Sequence, residues 1–349
     1  MKSDSLKYFA AANSRHGFYS LFGDVFSPEK YDTLYIIKGG SGTGKSTMMK
    51  KIGEEAERRG IDAEYVFCSS DPTSLDGVII PARGAAIIDG TAPHMTDPKY
   101  PGAVERVIDL YGCLDTKALK EQRDEIIEKG KTAARYTATA YGFLRALGEI
   151  EEEKAALVLS CYDRKKAART IERIVKTLTK GGEKRQLYTS AICSLGRVCF
   201  DAYRARAKEK ICVADKFGAG YGFMADLCRT AKENGVGFIE FLSPLDPFKT
   251  EAVYFENDGT YVYICDAKDD GVSDKKINVM RFVEKEKLAH VRGRVRFCEK
   301  CADAVFEGAA GCFASARVCH AETEKIYGAA MDFSIVDKTR EILIKEIFG

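Results

Sequence analysis

The sequence predicts an α/β protein in which a parallel sheet flanked by helices occurs twice, with each copy followed by a helical hairpin. Three observations predict this class. A glycine-rich loop stands between a strand-like and a helix-like segment, a weak repeat relates the two ends of the chain, and two segments have helical apolar spacing. The chain of 349 residues is long enough for two units, which we expect at residues 1–183 and 184–349.

Composition excludes several classes of function. The net charge of +2 offers no general attraction for nucleic acid. No apolar run approaches the ~20 residues of a membrane-spanning helix, and the first residues lack the apolar core of a signal peptide. We therefore expect a cytoplasmic protein with no nucleic-acid or membrane partner, whose twelve cysteines are mostly reduced.

The first predicted strand, loop and helix carry the strongest motif. An apolar, β-favouring run at residues 34–37 precedes the loop, and the helix that follows has an apolar side and ends at Gly60. The loop matches G-x-x-x-x-G-K-[ST] at every fixed position, and the alternative is a chance glycine-rich turn. With the residue that follows it, the loop supplies the candidate phosphate-binding set: Gly39, Gly40, Ser41, Gly42, Thr43, Gly44, Lys45, Ser46 and Thr47.

Each residue type in this loop has a physical role toward a nucleotide. Glycines let the backbone curl so that its N–H groups point at phosphate oxygens, and the helix N-terminus adds partial positive charge. Lys45 is predicted to reach the β- and γ-phosphates, and the Ser46 hydroxyl to bind Mg²⁺. The motif therefore predicts ATP and Mg²⁺ as ligands of a P-loop NTPase-type sheet. We expect Lys45 to be exposed without nucleotide, so that Lys45→Ala leaves the fold intact.

A carboxylate is also expected near the metal. The stretch "AAIID" has the pattern of a strand whose final acid, Asp89, lies beside the phosphate loop and helps to hold magnesium. The alternative is an ordinary buried strand before an Asp-Gly turn.

Two further aspartates, Asp71 and Asp76, follow a predicted strand at residues 63–68. At the carboxyl end of a parallel strand, either acid could orient water, accept a substrate proton or bind magnesium. The alternative is a turn-capping role, since Asp71 precedes a proline. His94 is a weaker candidate that would otherwise simply pack.

An internal repeat relates the two halves. At an offset of 176 residues, Gly42, Gly44 and Met48 match Gly218, Gly220 and Met224. At an offset of 175, the matched pairs are Ala56 and Ala231, Gly60 and Gly235, Asp71 and Asp246, Pro72 and Pro247, and Val78 and Val253. At an offset of 171, the matched pairs are Glu151 and Glu322, Glu153 and Glu324, Lys154 and Lys325, Arg169 and Arg340, and Ile171 and Ile342. Matches that stay in order within similar elements predict a duplication.

The second copy of the loop, residues 215–222, departs from the motif. Tyr221 stands at the lysine position and Gly222 at the serine position, so the lysine charge and the metal-binding hydroxyl are both absent. We expect the turn to survive without the phosphate chemistry. The second half is then a structural or regulatory partner that covers the first loop or donates a group to it. The candidate donors, unless they are solvated surface, are Arg281, Arg292, Arg294 and Arg296.

The remaining segments are predicted to be helical. Residues 117–180 have the pattern of a hairpin that ends at a Gly-Gly pair and whose apolar positions face a partner helix: Leu144, Leu147, Ile150 and Leu157. In the second half, Cys298, Cys301, Cys312, Cys319 and His320 fit either a metal site or helix packing. Helix packing is favoured, because the spacing matches no standard zinc finger and the segment has a helical pattern.

The stretches "KGGSGTGKSTMMKKIGEEAERRG", "CSSDPTSLDGVIIP" and "DGTAPHMTDPKYPGAVE" resemble a little-characterised family of bacterial P-loop ATPases or ATP-binding proteins. Members of that family carry two P-loop units in one chain, each followed by helices. The resemblance spans nearly the whole chain and implies nucleotide binding, but it supplies no substrate. The family pattern has an intact second loop, from which residues 215–222 depart.

These observations predict an ATP-binding protein that is a Mg²⁺-dependent ATPase with one active site. The candidate catalytic residues are Lys45, Asp89 and Asp71, and the candidate metal ligands are Ser46 and Asp89. Two alternatives stay open: a small-molecule kinase with Asp71 or Asp76 as base, and a nucleotide-gated scaffold with little turnover. The small molecule or protein that serves as partner is not indicated by the sequence.

Overall fold

The computed structural model describes residues 5–266 and 272–349, and it contains two six-stranded sheets. The elements of the first half are β1 (Leu6–Phe9), β2 (Ala11–Ser14), β3 (Gly17–Ser20), α1 (Phe22–Val25), β4 (Thr33–Lys38), α2 (Lys45–Arg58), β5 (Glu64–Phe67), β6 (Leu75–Ile80), β7 (Ala85–Asp89), β8 (Glu105–Asp109), α3 (Thr116–Glu121), α4 (Arg123–Leu159) and α5 (Arg164–Val175).

The second half repeats this series of elements. They are β9 (Arg185–Leu187), β10 (Ser190–Cys193), β11 (Gly196–Cys199), α6 (Ala202–Arg206), β12 (Glu209–Asp215), α7 (Gly220–Glu233), β13 (Ile239–Leu242), β14 (Thr250–Phe255), β15 (Thr260–Asp266), β16 (Lys275–Asn278), α8 (Lys285–Ala329) and α9 (Phe333–Phe348).

Corresponding strands have the same order in both sheets. The first sheet runs β1-β5-β6-β7-β4-β8, and the second runs β9-β13-β14-β15-β12-β16. Each half also has a two-stranded hairpin, β2-β3 or β10-β11. This matching order is the layout expected of a duplicated α/β unit.

The prediction of a parallel sheet is wrong for one strand in each sheet. β6 is antiparallel to both β5 and β7, and β14 is antiparallel to both β13 and β15. The other neighbouring strands within the two sheets are parallel. The connections before and after β6, residues 68–74 and 81–84, are too short for the crossover that a parallel pair requires. Both sheets are therefore mixed.

The two sheets pack face to face on a shared hydrophobic core. Ile36 and Ile88 of the first sheet share this core with Tyr203 and Phe241 of the second half, and all four side chains are almost fully buried. Phe9 and Tyr188 add backbone hydrogen bonds of 2.8 and 3.0 Å between the halves. Because so much apolar surface is buried here, the contact between the sheets is a main source of the stability that holds the two halves together.

The helical hairpins are exchanged between the halves. α5 packs on α7 and contributes Ile171 and Val175 to the core of the second half. α9 packs on α2 and contributes Leu343 and Phe348 to the core of the first half. The long helices α4 and α8 lie against each other between these ends. Each hairpin therefore ends on the sheet of the other half.

The structure also corrects the register of the repeat in these hairpins. Asp163 caps α5 and Asp332 caps α9, and their backbone N–H groups donate to the carbonyls of Phe282 and Cys113. These equivalent pairs are 169 residues apart, whereas the sequence matches predicted an offset of 171. Helices rich in Lys, Glu and Ala match at several registers, and the caps distinguish between them.

Across the described residues, no helix combines the length and the apolar composition needed to cross a membrane.

Candidate phosphate-binding site

The first loop, residues 39–46, joins β4 to α2 in the conformation that its glycines permit. Gly42 and Gly44 have φ angles of 74° and 86°, in the left-handed region that side chains other than glycine disfavour. A Cβ on Gly39 would lie only 2.7 Å from the Thr43 hydroxyl oxygen. Three of the loop's four glycines are therefore required by the geometry of this turn.

The loop presents a run of backbone donors. Within the described part of the chain, the N–H groups of residues 40–46 have no hydrogen-bond acceptor. The Thr43 hydroxyl donates to the Gly40 carbonyl at 2.8 Å and stiffens the turn. Unpaired N–H groups at the start of a helix attract an anion, so these donors fit a phosphate group.

Lys45 lies inside the site rather than in solvent, and the expectation of an exposed lysine is wrong. Its side chain is 10% exposed. The ammonium group donates to the carbonyls of Gly39 and Gly40 at 2.6 and 2.7 Å, and it lies 3.5 Å from an Asp89 carboxylate oxygen. Helices of the second half also lie against this loop, as the sequence analysis expected of a covering second half.

Asp89 lies at the carboxyl end of β7, next to the end of β4, where it is in register with Ile37. One carboxylate oxygen accepts hydrogen bonds from the N–H and the hydroxyl of Thr91. The other faces Lys45. Asp89 therefore has the features of both alternatives considered from the sequence: it holds a turn, and it lies beside the phosphate loop.

Ser46 and Asp89, the metal ligands predicted from the sequence, carry oxygen donors of the type that Mg²⁺ prefers. The Ser46 hydroxyl oxygen accepts the Leu75 N–H at 2.9 Å and keeps a second lone pair. Magnesium usually retains several waters and takes few protein ligands, so a hydroxyl and a carboxylate fit it. The described residues contain no group of three or more His, Cys, Asp or Glu that could hold a metal. Thr47 is exposed on α2.

Asp71 is engaged in the turn between β5 and β6. One of its carboxylate oxygens accepts from the N–H and hydroxyl of Thr73 at 3.1 and 2.7 Å. The other lies 2.8 Å from a guanidinium nitrogen of Arg317. Both oxygens of Asp71 thus have partners. The contacts with Thr73 agree with the turn-capping alternative, and Arg317 adds an ion pair to the second half.

Asp76 was expected to follow a strand, and this prediction is wrong. It lies within the buried strand β6. Its carboxylate is 3.0 Å from His94 Nε2, and the His94 ring stacks on Phe22 with 3.8 Å between centroids. Burial, followed by the charge of Asp76, raises the pKa of the nearby Cys68 thiol. The prediction missed this position because β6 begins soon after the Asp71 turn.

The end of α8 and the start of α9 cover the first loop. His320 Nε2 lies 3.4 Å from the Ser41 hydroxyl oxygen. A Cβ on Gly40 would lie 3.6 Å from the Tyr327 ring, and one on Gly42 would lie 2.4 Å from the Glu324 carbonyl oxygen. Phe333 lies 3.4 Å from the corresponding position on Gly44.

The arginine that pairs with Asp71, in the turn after β5, is not among those that the sequence indicated. Arg281 donates to Thr170 on α5, Arg294 pairs with Glu153 on α4, and Arg292 and Arg296 are exposed. Arg317 instead pairs with Asp71. No spacing rule in the sequence pointed to Arg317, because its position depends on the exchange of the hairpins.

The second loop, residues 215–222, contains its own anion. Asp215, which corresponds to Gly39, accepts hydrogen bonds from the N–H groups of Phe217 and Gly220 at 3.1 and 2.8 Å. These donors belong to the turn and the helix start that would otherwise face a phosphate. A carboxylate of the chain therefore satisfies donors that remain unpaired in the first loop.

The partners of that loop have changed as well. The Tyr221 hydroxyl donates to Glu251 at 3.2 Å, and burial raises the pKa of Tyr221, which keeps it neutral. Ile264 lies opposite Val213 in the sheet, as Asp89 lies opposite Ile37 in the first half. The positions that correspond to Lys45, Ser46 and Asp89 are thus occupied by Tyr221, Gly222 and Ile264.

The cysteines of the second half have two arrangements. Cys298, Cys301, Cys312 and Cys319 lie along the continuous helix α8 and are free. Cys212 and Cys265, on the neighbouring strands β12 and β15, form a disulfide, so these two differ from the expectation of reduced thiols.

No protein-family model, curated protein or solved structure matches this chain. The resemblance to bacterial P-loop ATPases stays a prediction from the sequence motifs.

Proposed function

We propose that the chain binds ATP at the first loop and is a Mg²⁺-dependent ATPase with a single active site, built on a P-loop NTPase-type sheet. One observation carries the proposal: the N–H groups of residues 40–46 have no acceptor among the described residues, and Lys45 lies beside them. Such a set of donors with an adjacent ammonium matches the charge and geometry of a nucleotide's phosphates.

The residues would divide the work as follows. The loop N–H groups bind phosphate oxygens, and Lys45 leaves the carbonyls of Gly39 and Gly40 to reach the β- and γ-phosphates. Ser46 and Asp89 would hold Mg²⁺, which when bound neutralises charge on the phosphates. Asp89 also keeps the ammonium of Lys45 oriented toward the loop.

A small-molecule kinase is less well supported. Asp71 caps the turn at Thr73, and Asp76 is buried against His94, so each carboxylate already has a structural partner that a catalytic base would have to give up. The nucleotide-gated scaffold is the second candidate. It is favoured by the contact of α8 and α9 with the loop, because a nucleotide there would act directly on helices of the second half.

Titration calorimetry with a non-hydrolysable ATP analogue and Mg²⁺ tests the binding site. We expect about one site per chain and loss of binding in Lys45→Ala, because the ammonium carries much of the attraction for phosphate. Lys50→Ala is the matched control and should bind normally, because Lys50 lies on the same helix but donates to the Thr73 carbonyl. Two equivalent sites, or normal binding by Lys45→Ala, would contradict the proposal.

Turnover separates the candidate reactions. Release of ADP by the purified protein alone indicates an ATPase, whereas release only after metabolites are added indicates a kinase. Tight binding of ATP without turnover indicates the nucleotide-gated scaffold.

A further inference from the structure

One face of α8 lies against the first loop. His320 follows Arg317 by three positions, and Glu324 follows His320 by four. This spacing puts the three side chains on the same side of a helix. His320 approaches Ser41 and Arg317 approaches Asp71, so this face spans from the loop to the turn after β5.

The basic groups on this face are paired with carboxylates, and His320 also contacts the Ser41 hydroxyl. Arg317 pairs with Asp71 at 2.8 Å and with Glu324 at 3.0 Å, and His320 Nε2 lies 3.5 Å from Glu324. The side chains of Arg317, Asp71 and Glu324 are 31%, 18% and 34% exposed. The pair with Glu324, whose partners are each about a third exposed, contributes little stability. A guanidinium binds phosphate through strong charge-assisted hydrogen bonds, so a multiply charged phosphate can compete with these carboxylates for Arg317.

The second half of the molecule provides an internal comparison. At the offset of 169 residues set by the helix caps, the positions equivalent to Arg317 and His320 are Gly148 and Glu151 on α4. The end of α4 lies near the second loop, where Leu159 approaches Gly222. That loop is filled by the Asp215 carboxylate. Arg317 and His320 therefore have no counterpart at the equivalent positions of α4, although other basic groups, Lys154 near Gly218 and Arg15 against Gly148, lie on that side of the molecule.

We propose that Arg317 and His320 bind the terminal phosphate of the nucleotide held by the first loop. Arg317 exchanges Asp71 and Glu324 for phosphate oxygens, and His320 moves from Ser41 to the same group. The inference rests on the proposed function and gives the second half a part in the site. This terminal phosphate is the γ-phosphate of ATP. Because ADP lacks it, the contact distinguishes a triphosphate from a diphosphate.

The test compares two nucleotides across three proteins. Binding of the non-hydrolysable ATP analogue and of ADP is measured for the wild type, Arg317→Ala and Arg294→Ala, the last being an exposed arginine on the same helix paired with Glu153. Loss of a charge-assisted contact should weaken binding of the analogue by Arg317→Ala about tenfold or more, with ADP unchanged. Arg294→Ala should bind both nucleotides as the wild type does.

The outcomes separate this inference from the proposed function. Equal losses for both nucleotides, or no loss for either, overturn the role of Arg317 while ATP binding stands. Failure of the wild type to bind any nucleotide overturns the proposed function itself. If Arg317→Ala does not fold, His320→Ala must weaken binding of the analogue more than that of ADP, and unchanged selectivity would overturn the proposal.

Discussion

At the scale of single residues, one carboxylate distinguishes the second loop from the first. Asp215 takes the position of Gly39 and places a negative charge on the donors that a phosphate would use. Reaching such a site would cost an incoming phosphate both the bonds already made and repulsion between like charges. The missing lysine was visible in the sequence, but the position of the Asp215 side chain was not, because it depends on how the turn closes.

Asp89 gives the prediction at this scale. If it completes a magnesium site, Asp89→Asn should lower Mg²⁺-dependent turnover far more than it lowers nucleotide binding without metal. The reason is that the loop N–H groups and Lys45 hold phosphates without the acid, whereas the metal requires a carboxylate near Ser46. ATP hydrolysis measured against Mg²⁺ concentration checks this.

Asp71→Asn is the matched comparison, because Asp71 lies at the same edge of the sheet but pairs with Arg317. It should leave the Mg²⁺ dependence unchanged. A shift in that dependence for Asp71→Asn and none for Asp89→Asn would mean that Asp89 only holds the turn at Thr91.

At the scale of elements, local patterns predicted most of the first strand, loop and helix. β4, α2 and β5 fall where the apolar runs and Gly60 indicated. Two features were beyond local patterns. The antiparallel direction of β6 follows from short connections on both sides, and the exchange of hairpins follows from which sheet face each helix covers. An apolar helical stripe indicates that a helix is covered, but it does not identify the covering surface.

The docking of α9 on α2 gives the prediction at this scale. Leu343 is buried in the core of the first half, with 1% of its surface exposed, although it belongs to the second half of the sequence. Leu343→Ala should lower the free energy of unfolding by about 2–5 kcal/mol, because it leaves a cavity between α9 and the first sheet. Denaturant unfolding provides the measurement.

Ile342 is the control, since it precedes Leu343 on the same helix and is 55% exposed. Ile342→Ala should change the free energy of unfolding by no more than about 0.5 kcal/mol. Equal effects of the two substitutions would show that α9 does not dock on α2 in solution.

At the scale of the whole molecule, the repeat in the sequence and the packed units are not the same division. The sequence predicts halves at residues 1–183 and 184–349, but each sheet is completed by the last helix of the other half. The two sheets also share one core. The first loop, in turn, is covered by α8 and α9. The site could be predicted as far as its loop and its strand-end acid, whereas its covering residues follow only from this exchange.

The exchange predicts that neither half folds alone. Residues 1–183 by themselves would expose the face of the first sheet that packs on the second, the surface of α2 that α9 covers, and the apolar side of α5. Exposing apolar surface of this extent costs more than a small domain's net stability, which is about 5–15 kcal/mol. Each fragment expressed separately should therefore lack a cooperative thermal transition, and the two expressed together should form a complex of one copy each, observed by gel filtration.

The control is the full chain cleaved at an inserted protease site between residues 183 and 184 after folding, which should stay associated and keep the affinity of the intact chain for the ATP analogue. If residues 1–183 alone unfold cooperatively and bind the analogue with full affinity, then α8 and α9 are dispensable to the site, and the second half does not complete it.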